Sequence, residues 1–149
     1  MICQFGTSCH SSLTFSSVST AQQLFIGYGV IILGVAFVLG AILGGLRMTV
    51  PAVRTLAMAH VETLIQAALH LGLAFAIAAV GFRSTAATWG AALLVAGSGM
   101  QALGATVNWA TGTVDQFAKR SPGFRINSLA TFAILPGLVI IASGILTRL

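Results

Sequence analysis

The sequence predicts an all-α integral membrane protein built as a four-transmembrane-helix bundle. Three observations carry that prediction. Of 149 residues, 57% are hydrophobic and only 6% charged, and the mean hydropathy is +1.00. A soluble domain turns most of its surface to water and has no use for so much apolar residue. The apolar residues also fall into four runs of the roughly 20 residues that a bilayer-crossing helix needs. Most of the few charges sit between those runs.

Residues 1–21 are polar, rich in Ser and Thr, and free of Lys and Arg. A secretory signal would open on a basic segment, so this stretch reads as a tail ahead of a single domain, 22–149. Cys3 and Cys9 have no metal-type spacing, and a bridge between them needs an oxidising compartment. The first helix is placed at 24–46, with Tyr28 near its start. Its glycines (Gly40 and Gly44 among them) invite close helix contact. Thr49 as cap and Pro51 in the first turn open the second helix, 51–82. The turn at Gly81–Thr85 leads to the third, 88–112, which carries Ser98, Gln101 and Asn108. A polar connection with Asp115, Lys119 and Arg120 precedes the fourth, 126–146, where Pro136 is expected to produce a kink. No internal repeat stands out.

The net charge is +5, but the basic residues form no stripe with interleaved aromatics, which excludes a nucleic-acid partner. Loops one and three hold Arg47, Arg54, Lys119, Arg120 and Arg125, against Arg83 and Arg148 on the other side. That bias predicts those two loops in the cytoplasm and both termini outside.

The second helix is the anomaly. Its run AMAHVETLIQAALH (Ala57–His70) holds two of the three histidines, the third being His10 in the tail, and one of the two acids. On a helical wheel Glu62, Gln66, His70, Thr63 and His60 follow one another within roughly half the circumference. Polar groups at that depth are expensive in hydrocarbon, which points to function. At a rise of ~1.5 Å per residue, Gln66 and Gln101 of the antiparallel third helix both lie about 15 Å from the same end. His60, Glu62 and Asn108 lie nearer that end, and Tyr28 and His70 nearer the other. The two stripes predict one shared internal site. Gln101, Asn108, Thr63 and Ser98 also suit interhelical hydrogen bonding alone, and Tyr28, Trp89 and Trp109 suit interfacial anchoring. A histidine in such a bundle serves proton relay, metal ligation or haem ligation. Three histidines in all are too few for a carboxylate–histidine metal cage, and haem and proton relay both stay open.

The run PAVRTLAMAHVETLIQ (Pro51–Gln66) resembles the second helix of small bacterial membrane rearrangement enzymes, hydroxylaminobenzene mutase and, more distantly, styrene oxide isomerase. Arg54, Ala59, His60 and Glu62 match the mutase pattern, and Asn108-Trp109 matches an Asn-Trp pair late in helix three. SPGFRINSLATFAILPG (Ser121–Gly137) is similar to the isomerase's Gly-Pro-Gly turn and the helix after it. Where the relatives carry a histidine near the start of helix one, this chain has Tyr28. The isomerase's helix-two asparagine is replaced by Gln66, and its helix-three tyrosine has no tyrosine counterpart.

The resemblance implies a homotrimer in the bacterial inner (cytoplasmic) membrane, binding haem b with His60 as axial iron ligand. It implies a redox-neutral rearrangement of a small hydrophobic epoxide or arylhydroxylamine, with ferric haem as Lewis acid. Gln66, Asn108 and Glu62 are then the catalytic residues, and Trp109, Gln101, Tyr28 and His70 line the pocket. Two other readings stand beside it. One is a small proton-coupled transporter using Glu62 and His60. The other is an accessory membrane subunit without chemistry of its own.

Overall fold

The computed structural model describes residues 17–46, 53–115 and 120–149. Cys3, Cys9, His10, Arg47, Thr49, Pro51 and Lys119 lie outside them. Among the described residues the chain forms four helices: α1 (Thr20–Leu46), α2 (Val53–Ala79), α3 (Thr85–Ala110) and α4 (Pro122–Leu146). Each is long and apolar enough to cross a membrane.

Three helices begin earlier than the hydropathy suggests, because their caps are polar. α3 opens at Thr85 rather than 88, with Ser84 Oγ accepting from the Ala87 amide at 3.3 Å. At α1, Ser19 Oγ accepts from the Gln22 amide at 3.3 Å, while the Ser19 amide donates to Gln22 Oε1 at 2.9 Å. This Ser-x-x-Gln capping box satisfies two groups reciprocally and draws Thr20–Gln23 into the helix. At α4, Ser121 caps by accepting from the Phe124 amide at 3.1 Å, and Pro122 fills the first turn. The turn expected through Pro122–Arg125 is therefore helix. α4 then runs through Pro136 to Leu146.

The ends of α2 and α3 share one device. Gly81 (φ 66°) and Gly112 (φ 64°) adopt the left-handed conformation that glycine tolerates. The next residue's amide then reaches back five residues, Phe82 to the Ile77 carbonyl at 3.0 Å and Thr113 to the Asn108 carbonyl at 2.9 Å.

α1 packs chiefly on α2, and α3 chiefly on α4. The α3–α4 seam follows a seven-residue spacing of small residues. Gly90, Gly97 and Gly104 run down α3, while Gly123, Ala130, Gly137 and Gly144 run up α4, and all are buried. A Cβ built on Gly104 would lie 2.8 Å from the Gly123 carbonyl oxygen. One on Gly97 would lie 3.0 Å from that of Ala130, and one on Gly137 3.0 Å from that of Gly90. Gly144 faces the Phe82 ring. Each pairing steps seven residues along both antiparallel helices, so backbone meets backbone along the seam. A spacing of seven is also what holds one face toward a left-handed partner.

The expectation for α1 needs correction. Gly40 meets a neighbour, His60, whereas Gly27, Gly34, Gly44 and Gly45 have nothing within 4 Å. Gly40 and Gly44 therefore do not form a paired contact motif within the chain. Apolar layers fill the interior at three levels: Phe25, Ile77, Leu94 and Ile141; Ile32, Ala67 and Ala102; Leu39, Leu56 and Ala59.

Candidate functional site

The polar residues of α2 divide among three places rather than converging on one. The arc buried inside the bundle runs through Leu56, Ala59, Thr63, Gln66, Ala67 and His70. His60 borders it on the flank toward α1, and Glu62 borders it on the flank toward α3.

His60 Nδ1–H donates to the Ala36 carbonyl of α1 at 2.8 Å. A carbonyl only accepts, so this contact puts the proton on Nδ1 and leaves Nε2 as the lone-pair nitrogen of the neutral ring. The ring lies over Gly40, where an added Cβ would be 2.8 Å from His60 Cε1. His60 is partly exposed. Its orientation is therefore set by two residues of α1, one supplying an oxygen and the other a missing side chain.

A second cluster lies deeper. Tyr28 Oη–H donates to Gln66 Oε1 at 2.9 Å, and Gln66 Nε2 is 3.5 Å from Gln101 Oε1. The two glutamines meet across α2 and α3 as their equal depths predict. Fully buried His70 donates from Nδ1 to the Gln66 carbonyl at 2.8 Å, with its ring 4.6 Å from that of Tyr28 and 5.5 Å from that of Phe25. Its Nε2 is closed to water and makes no hydrogen bond of ordinary geometry, although the Leu94 backbone is close. Tyr28 is therefore an inward-facing member of this layer, not an interfacial anchor. Thr63 turns its hydroxyl back to the Ala59 and His60 carbonyls of its own helix.

The third place is a cavity of about 420 Å³ at the end of the bundle where α2 begins and α3 ends. Thr55, Met58, Ala59 and Glu62 of α2 line it, with Ala105 and Asn108 of α3, Asn127 of α4, and Thr113–Asp115 of the connection; Arg54 stands beside them. α4 packs chiefly on α3, and the cavity occupies the angle left between α2 and α4. Glu62 Oε1 is shut off from water and has no partner. Asn108 Oδ1 accepts from the Ser121 hydroxyl at 2.6 Å. Of the residues expected in one pocket, Glu62 and Asn108 are here. His60, Gln66, Gln101, Tyr28, His70 and Trp109 are not in its lining, and Trp109 packs beside Leu39, Leu56 and Ala59 instead.

Two residues of this region escaped the sequence reading. Ser121 caps α4 and holds Asn108 with the same hydroxyl. Asn127 lines the cavity and presses its Oδ1 against Gly104. Ser-Pro after a polar loop is a helix-start signal that identifies the first; no local signal marks the second. Ser121→Ala is expected to destabilise the chain by roughly 2 kcal/mol, since it removes a cap and the buried hydrogen bond to Asn108. Equilibrium unfolding in detergent micelles measures that loss.

Among the described residues no group of three or more His, Cys, Asp or Glu side chains is placed to hold a metal ion. No family model matches this chain, and neither a curated protein nor a solved structure is similar to it.

Proposed function

We propose that the chain is a multi-pass protein of the bacterial cytoplasmic membrane and a haem-dependent isomerase. Its substrate in this reading is a small hydrophobic epoxide or arylhydroxylamine. The supporting observation is the His60 ring, with Nδ1–H committed to the Ala36 carbonyl and Nε2 left as a lone pair. A histidine that would hold a haem iron needs that division of labour between its two nitrogens, and on that count His60 fits the group. When bound, ferric haem b supplies a Lewis acid that polarises an oxygen leaving group.

The chain's own contribution follows from where its side chains stand. Glu62 and Asn108 lie on the other side of α2, Glu62 about 160° around the helix from His60 at 3.6 residues per turn. They serve the same reaction from a neighbouring copy, because a closed ring of identical chains joins unlike flanks at every interface. That is in keeping with a trimer. Glu62 then exchanges a proton with the substrate oxygen, and Asn108, held by Ser121, orients it. Gln66, bonded to Tyr28 and near Gln101, holds the interior layer instead of touching substrate.

The test is the visible spectrum of the chain purified from haem-replete cells. A Soret band is the expected result, and its absence overturns the haem assignment. One observation favours a second reading, a proton-coupled transporter: the Glu62 carboxylate stands in a cavity at one end of the helices. Proton-driven flux in liposomes that disappears in Glu62→Gln supports that reading, and absence of flux counts against it.

A further inference from the structure

We propose that the cavity between the end of α3 and the start of α4 is a binding site for the phosphate of an anionic phospholipid. Its volume is about 670 Å³, and residues 111–115 and 120–122 line it together with Arg125. His60, Glu62 and Asn108 are not in that lining, so the site stands apart from the proposed reaction.

The charges give the sign of the ligand. Arg120 and Arg125 against Asp115 leave the lining one formal positive charge, with the carboxylate counted in full although Asp115 holds a contact of its own. Both arginines are exposed, and neither guanidinium group makes a hydrogen bond or ion pair with another described residue. Their position is unfavourable for the fold. Arg125 lies in the first turn of α4, which contains no acid, and Arg120 directly precedes the Ser121 cap. A helix N-terminus carries about half a positive charge and disfavours cations within that turn. An anion in the cavity answers both arginines and the helix end at once. The surplus of Lys and Arg at this end of the bundle accounts for arginines in the loop. It does not account for two of them on one cavity, beside a helix end that repels them.

The outer face of α4 supplies the reason that the anion is a lipid's. Leu129 and Phe132, four and seven residues beyond Arg125 on the same helix face, are 59% and 79% exposed. In an α4 that crosses a membrane, this stripe runs from the charged end into the hydrocarbon. Acyl chains lie along it while the phosphate rests on the guanidinium groups, as in basic lipid sites between membrane helices. A free phosphate has no use for Leu129 or Phe132. A zwitterionic lipid brings its own cation to a place already rich in them.

The experiment is calorimetric titration of the full chain in neutral detergent micelles at physiological salt. The probes are dihexanoyl phosphatidylglycerol, dihexanoyl phosphatidylcholine and glycerol 3-phosphate. Phosphatidylglycerol is expected to bind saturably and about tenfold tighter than either of the others, one of which carries a compensating cation and the other no acyl chain. Arg120→Gln and Arg125→Gln should each weaken it by about fivefold, and the double variant should lose the preference over phosphatidylcholine. Arg54→Gln removes the same charge from the same end of the bundle but outside this cavity, and should bind as the unaltered chain does. Without lipid, Arg125→Gln should unfold no more easily than the parent, since it relieves the helix end; a less stable variant would make the arginine structural and overturn the proposal. Equal affinity for the two lipids, or unchanged binding in the double variant, overturns it too. An equal loss in Arg54→Gln reduces the attraction to net charge, and glycerol 3-phosphate binding as tightly as phosphatidylglycerol makes the ligand a free anion; either result refutes a lipid site.

Discussion

Gly104→Ala is expected to destabilise the chain by about 2–4 kcal/mol, a large effect for a single methyl group. The new Cβ would stand 2.8 Å from the Gly123 carbonyl oxygen and against the Asn127 side chain. Asn127 can swing away, but the carbonyl belongs to the first turn of α4 and moves only with the helix. Two terms oppose each other here. Alanine is the better helix former by ~1 kcal/mol, while separating a backbone-to-backbone seam forfeits contacts along several turns. The second term wins because the same register continues through Gly97–Ala130 and Gly90–Gly137. Gly27→Ala is the matching control, since nothing lies within 4 Å of that position. It is expected to leave stability within about 1 kcal/mol of the parent. Equilibrium unfolding in mixed micelles compares the two, and equal stability of both variants would refute a seam set by small residues.

On the proposed haem assignment, His60→Ala is expected to abolish the Soret band while the four helices persist in circular dichroism. Gly40→Ala makes the sharper test. Its Cβ would meet His60 Cε1 at 2.8 Å and Nδ1 at 3.3 Å, pushing the ring off the Ala36 carbonyl without removing the imidazole. Loss of such an orienting bond lowers affinity by roughly 10–100-fold, so haem titration of Gly40→Ala should fall between the parent and His60→Ala. A parent without a Soret band disposes of the haem. A parent with one that Gly40→Ala leaves unchanged disposes only of the orienting role of α1.

How far the sequence could be read depended on which physical signal each feature used. The four helices were legible because helices long and apolar enough to cross a membrane are written as long apolar runs, and Thr55–Val80 or Thr88–Ala110 announce themselves by hydropathy. Their polar first turns were not, since Ser19–Gln23 and Ser121–Arg125 are written in capping chemistry, which a hydropathy profile passes over. The meeting of Gln66 and Gln101 followed from helical rise alone. The seven-residue series Gly90–Gly97–Gly104 was present to be seen but is diluted among other small residues. A helical wheel orders Glu62, Gln66, His70 and His60 correctly, yet cannot say which neighbour each flank will face. The separation of about 160° between His60 and Glu62 around α2 follows from the helical repeat alone. The choice of neighbour belongs to the handedness of the bundle, which turns the His60 flank toward α1 and the Glu62 flank toward α3. Asn127 was out of reach for the same reason, since only the α3–α4 crossing brings it beside Gly104.

The pairing of α1 with α2 and of α3 with α4 also bears on how the chain is made. Each pair is contiguous in sequence, so each can close as a helical hairpin while synthesis of the rest continues, and little long-range search remains. The second hairpin brings its own small-residue zipper, and the first is joined to it by the short turn after Gly81. The molecule is in this sense two insertion units docked side by side, and a chain cut at that turn should reassemble from two co-expressed halves.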